Sequence, residues 1–162
     1  MAVSTINGAS TGSSGTVLTT TSPKAGNVIQ VVNGTTTTTT TTTGTTLVDT
    51  NLSASITPTS ATSKILVLVN HYECAVVAAF TGIKFQLLRG ATAIGTNYST
   101  SNVGYGAQTE NYFNVSMMVL DSPATTSATT YKTQFARASG SGTVYVQGDS
   151  TLSTITLMEI AA

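Results

Sequence analysis

Nine consecutive threonines, Thr35 to Thr43, sit in the first third of a 162-residue chain. Every one is β-branched, so a helix would cost side-chain rotamer freedom at each position against the preceding turn. A mucin-like stalk normally carries interspersed proline, and the tract has none. It also runs directly into LVDTNLSASITP, where Leu47, Asp49 and Asn51 and then Leu52, Ala54 and Ile56 give a broken alternation, the mark of a strand with a bulge. We therefore expect Thr35 to Thr43 to be at least partly β-strand, paired at a sheet edge. A run of identical residues specifies its own register weakly, so the register should be pinned from Val48 onward.

Composition narrows the class. Six Lys and Arg balance six Asp and Glu, so the formal net charge is zero, and nothing electrostatic calls for a nucleic acid or an anionic membrane as partner. Hydrophobic residues make up 40% of the chain, enough for one domain with a real core. A surface wetted by Thr and Ser instead of Lys and Glu suits an all-β domain, because threonine fits a pleated surface. Cys74 is the single cysteine, which excludes an intrachain disulfide and a multi-cysteine zinc site. The start, MAVSTINGASTGSSG, has neither a basic nor an apolar stretch of the kind a secretory signal carries. The apolar stretches Ile65 to Val69 and Cys74 to Phe80 fall well short of the roughly 20 residues a membrane-spanning helix needs.

Along the chain, residues 1–25 show no period of 2 or 3.6 and read as an extended arm, and residues 26–162 read as one antiparallel β-sandwich. NVIQVVN is a short β-branched strand, expected to close at the turn dipeptide Asn33-Gly34. SKILVLVNHYECAVVAAF holds the most apolar strand: Ile65, Val67 and Val69 point one way, and Leu66 and Leu68 the other. One face can lie on the domain's own core; a neighbouring subunit is the natural cover for the second. Ile83, Phe85 and Leu87 alternate with Lys84 and Gln86 up to a turn at Arg89-Gly90. NYSTSNVGYGAQTENY reads as a long loop, and FNVSMMVLDSP as a strand that stops at proline. Tyr131, Thr133 and Phe135 share one face of the next strand; SGSG turns it into TVYVQG, and STITLMEIAA is the last strand.

The stretches SITPTSATSKILVLV, FQLLRGATAIG, LDSPATTSATTYKTQF and STITLMEIA resemble a group of tailed-bacteriophage (cyanophage-like) virion structural proteins, over most of the chain from about Gly26. The resemblance implies a jelly roll like the heads of complement C1q and tumour necrosis factor, assembled as a homotrimer. It implies a viral structural protein whose place is the virion. In the resembling trimers the final strand lies near the axis, so Leu157, Met158 and Ile160, with Leu66 and Leu68, are the expected trimer interface. A fibre head normally needs a shaft, and only the N-terminal arm precedes this domain. The leading expectation is thus a capsid decoration or cement protein on the capsid exterior, bound to the major capsid protein. Val3, Ile6, Val17 and Leu18 are its expected capsid anchors. The alternative is a tail-fibre or spike head that binds a host receptor or glycan, with Tyr98, Tyr105 and Tyr112 as contacts.

Chemistry offers little else. His71, Glu73 and Cys74 form the only cluster with a catalytic look, but the Pro-Cys-x-x-Cys that accompanies His-x-Glu in zinc deaminases is missing. On a regular strand positions 71 and 74 point to opposite faces, which separates the thiol from the imidazole. Asp49, Asp121 and Asp149 have no calcium-loop spacing. The expectation is a non-enzymatic protein with no catalytic residue, cofactor or metal, whose partners are its own copies and the capsid, with neither nucleic acid nor membrane among them.

Overall fold

The structure is a computed structural model that describes residues 10–11, 17–18, 23–95, 98–101 and 110–162. Two two-residue strands, β1 (Ser10–Thr11) and β2 (Val17–Leu18), pair antiparallel with each other. The larger strands are β3 (Val28–Thr36), β4 (Thr40–Thr42), β5 (Val48–Ile56), β6 (Lys64–Val77), β7 (Gly82–Arg89), β8 (Thr92–Ala93), β9 (Tyr98–Ser101), β10 (Glu110–Asp121), β11 (Thr129–Ser139), β12 (Thr143–Val146) and β13 (Ser153–Ile160). A single 3₁₀ turn, Gly148–Ser150, is the one helical element among the described residues. The chain is all-β and every strand pairing is antiparallel.

Strand β6 organises the first sheet. Along one edge it pairs with β10 from Ile65 to Val77; along the other it pairs with β13 over Lys64–Asn70 and with β12 over Ala75–Val77. β13 pairs outward with β3, and β12 with β4, so this sheet is four strands wide: β3 and β4, then β13 and β12, then β6, then β10. The second sheet runs β5, β11, β7, with β8 and β9 side by side on the far edge of β7. The two sheets share one core. Ile65, Val67, Val69, Val115, Met117, Ile155 and Leu157 come from the first, and Leu52, Ile56, Phe85, Leu87, Tyr131 and Phe135 from the second. Each fully buried aliphatic side chain there contributes about 1.5–3 kcal/mol.

The threonine tract is sheet at both ends. Thr35 and Thr36 finish β3 opposite Thr154 and Ser153, and Thr40–Thr42 form β4 opposite β12. The bulge expected after it is present: the β5–β11 register shifts between Lys132 and Gln134, and Asn51 takes a left-handed φ of 64°. Asn33-Gly34 is not a turn, however. β3 continues through it, and the glycine answers to packing: a Cβ at Gly34 would lie 2.1 Å from the carbonyl oxygen of Ser53. The expected long loop is also shorter, since Tyr98–Ser101 is strand β9 and β10 starts at Glu110, three residues before FNVSMMVLDSP.

Candidate functional site

The outward side of the first sheet is the most distinctive surface. Alternation along β6 sends Ile65, Val67, Val69 and His71 into the core and Leu66, Leu68, Asn70 and Tyr72 away from it. Register carries that order across the sheet. Val31 faces Met158, Met158 faces Leu66 and Leu66 faces Leu120, giving a fully apolar row four strands wide. The next row is Asn33, Thr156, Leu68 and Met118, half apolar, and the one after it, Thr35, Thr154, Asn70 and Ser116, is polar. Val31, Met118 and Leu120 are 56%, 66% and 53% exposed, so the described residues leave at least half of each uncovered.

Four of the residues expected at the trimer interface, Leu66, Leu68, Met158 and Ile160, lie half-buried on β6 and β13, where alternation puts them on the outward face. Leu157 does not join them. The period of two turns it inward, and it is fully buried in the chain's own core. Val31, Met118 and Leu120 were missed in sequence, although FNVSMMVLD contains the signal: Met118 and Leu120 interleave with the inward Met117 and Val119, making β10 apolar on both sides. Of the expected capsid anchors, Val17 and Leu18 form β2, while Val3 and Ile6 lie outside the described residues. Of the expected receptor contacts, Tyr98 begins β9, Tyr105 lies outside the described residues, and Tyr112 stands on β10, on a strand instead of in a loop.

Beyond the polar row the sheet changes character at a bulge. From Phe113–Cys74 to Val115–His71, β6 advances three residues while β10 advances two, and Glu73 absorbs the excess with a left-handed φ of 50°. The bulge overturns one expectation. His71 and Cys74 do not point to opposite sides; both are buried. Both are shielded from solvent in that setting. Burial pushes the Cys74 thiol up to about 12, which keeps it neutral. His71 is held by both ring nitrogens: the Gln147 amide donates to Nδ1 at 2.8 Å, which leaves the proton on Nε2, 3.0 Å from Thr133 Oγ1. Thr133 Oγ1 meets Thr50 Oγ1 at 2.6 Å, and Thr50 donates to the Thr133 carbonyl at 3.1 Å. This network serves a neutral imidazole, and burial lowers the pKa of His71 to about 4.

Two carboxylates hold the fold at other corners. Glu159 is fully buried yet charged: burial raises its pKa, but hydrogen bonds from Gln30, Thr59 and Ser63 outweigh that and hold it near 2. Asp121 accepts from Arg89 at 2.8 Å and from the Tyr131 hydroxyl at 2.7 Å, tying β10 to β7 and β11. Among the described residues, no group of three His, Cys, Asp or Glu side chains is placed to hold a metal ion, and no helix is long and apolar enough to cross a membrane. No protein-family model matches the sequence, and no curated protein matches it.

Proposed function

We propose that the protein is a structural component of a tailed-bacteriophage virion, a homotrimeric jelly roll of the C1q and tumour-necrosis-factor type that decorates and cements the capsid exterior. The observation that carries this is the outward face of the first sheet, where the apolar row Val31, Met158, Leu66, Leu120 is followed by Leu68 and Met118. An exposed apolar face on one side of a sheet marks an interaction surface, and a ring of identical copies covers it with the fewest distinct contacts. Covering side chains that are half to two-thirds exposed returns on the order of 1 kcal/mol each. Strand order supports the jelly roll. With β3 and β4, β8 and β9, and β12 and β13 each counted as one broken strand, the sheets read 1-8-3-6 and 2-7-4-5, and the chain passes from one to the other at nearly every step.

Attachment to the capsid falls to residues 1–25. Three arms on one trimer bind by avidity: once one is docked, the others act at high effective concentration. With six charges of each sign in the whole chain, the bond to the major capsid protein is apolar and hydrogen-bonded, and it survives salt that strips electrostatic partners. Light scattering tests the first half of the proposal, and a stable monomer at micromolar concentration would end it. Deleting residues 1–24 tests the second half: the truncated protein should remain an assembled trimer and lose binding to decoration-free capsids. Normal decoration by the truncated trimer would place the anchor in the β domain.

A further inference from the structure

The bulge on β6 opens a cleft of about 290 Å³ lined by Tyr72, Glu73, Tyr112, Phe113, Asn114 and Thr151. It lies four to six residues along β6 from Leu68 and Leu66, so roughly 13–20 Å from the apolar rows at about 3.3 Å per residue. Its walls are two partly exposed tyrosines, Tyr72 at 43% and Tyr112 at 51%. Tyr112 is already fixed. Its hydroxyl donates to Glu110 at 2.5 Å, and its ring meets Tyr145 edge-on with centroids 6.1 Å apart, across the buried Ala75 to which both residues are register partners. A ring so held loses little freedom when a ligand stacks on it.

The polar groups are equally arranged. Asn114 accepts the Glu73 backbone N–H through Oδ1 at 3.1 Å, which orients its amide NH₂ as the remaining donor. The Glu73 carboxylate supplies acceptors, and Thr151 donates to the Tyr72 carbonyl at 3.4 Å, keeping its hydroxyl oxygen to accept. The 3₁₀ turn packs on this bulge through Gly148, where a Cβ would lie 2.9 Å from the Tyr145 ring and 3.2 Å from Glu73 Cγ. Half of the eight left-handed non-glycine residues among those described, Glu73, Gln147, Asp149 and Ser150, belong to the bulge and this turn. Such backbone is retained where a site requires it.

We propose that this cleft binds one pyranose unit of a neutral glycan. Aromatic faces suit the C–H side of a sugar ring, while a carboxylate, an amide and a hydroxyl suit its alternating donors and acceptors. The volume is at the small end of ligand pockets, about 300–1,000 Å³, which fits a single sugar and not a longer chain. Among the described residues no Lys or Arg lines the cleft, so an anionic ligand finds no counter-charge from them. The inference rests on the cleft alone and not on the capsid assignment.

Saturation-transfer NMR on the full-length protein tests it, with the methyl glycosides of glucose, galactose, mannose and N-acetylglucosamine as probes at millimolar concentration. At least one glycoside should receive transfer, strongest at the ring protons of one face. Tyr72→Ala and Tyr112→Ala, both at exposed positions, should each weaken binding by about tenfold or more while circular dichroism stays unchanged. Leu66→Asp, which targets assembly, should leave binding intact. Failure of all four glycosides, or undiminished transfer in both tyrosine variants, would overturn the site; loss of binding in Leu66→Asp alone would overturn its assignment to a single chain.

Discussion

On the outward side of the second sheet, Asp49 accepts from Lys132 at 3.0 Å and from Gln134 at 2.7 Å, and Ser55 meets Thr130 at 2.7 Å. On the outward side of the first, Val31, Met158, Leu66 and Leu120 stand in line across four strands. Both faces follow the same period of two and both back onto the same core. The second pairs these polar side chains laterally, strand to strand. The first offers methyl and thioether groups that the described residues leave half or more exposed at Val31, Met118 and Leu120, which suits a surface that is covered from outside the chain. If the proposed trimer forms, the difference separates a face that ends the protein from one that continues it, and it is encoded almost wholly at the alternate positions of β6, β10 and β13.

The contrast predicts where damage is read. Leu66→Asp should abolish assembly, seen as a shift to monomer in light scattering, because a carboxylate covered by a neighbour must be desolvated without a partner. Ser53→Asp, on the other face, should leave the assembly unchanged; equal loss from both would erase the distinction between the faces. Leu157→Ala should cost about 2–5 kcal/mol of stability in urea unfolding, as a core cavity does, whereas its neighbour Met158→Ala should act on assembly and little on the unfolding of the dissociated chain.

Acid sharpens the comparison from inside. His71 has its pKa lowered from 6.5 to about 4 by burial, so its contribution is complete above pH 6.5 and is lost as pH falls towards 4. The total is roughly 3 kcal/mol at 1.36 kcal/mol per pH unit. Glu159, lowered from 4.5 to about 2, adds a second loss as pH falls from 4.5 through 2. Stability measured by denaturant between pH 7 and pH 5, above the range in which Glu159 acts, should decline, and that decline should vanish in His71→Leu, whose baseline is lower because Thr133 and Gln147 lose their partner. The smallest effect belongs to the polar face: Lys132→Ala should change stability by less than about 1 kcal/mol.

Much of the all-β fold was legible from period and turn chemistry. The inward and outward sides of β6, β7 and β11, the bulge before Leu52, and the end of β10 before Ser122-Pro123 follow from residue type and spacing. What escaped depends on partners distant in sequence. Asn33-Gly34 looks like a hairpin turn until Ser53 is known to crowd it. NHYEC alternates regularly on paper, and only the three-for-two count against β10 reveals that His71 and Cys74 both face the core. Gln147 carries no local sign that it will turn left-handed and donate to an imidazole 76 residues earlier. The candidate surface was half legible: Leu66, Leu68, Met158 and Ile160 stood out, but the rows that Leu66 and Leu68 complete required the register of three other strands.

The threonine run has a consequence for tolerance of changes in length. Most strands are harmed when they gain or lose one residue, because every following side chain changes sides. Here each slot of β4 receives another threonine whatever the slip. The contacts Thr39 makes with the Gln147 carbonyl and Thr40 with Asn51 are refilled by the neighbour that moves in. The change in length is taken up in residues 37–39 or 43–47, outside any ladder. A chain one threonine longer or shorter in this tract should therefore still form the same sheet.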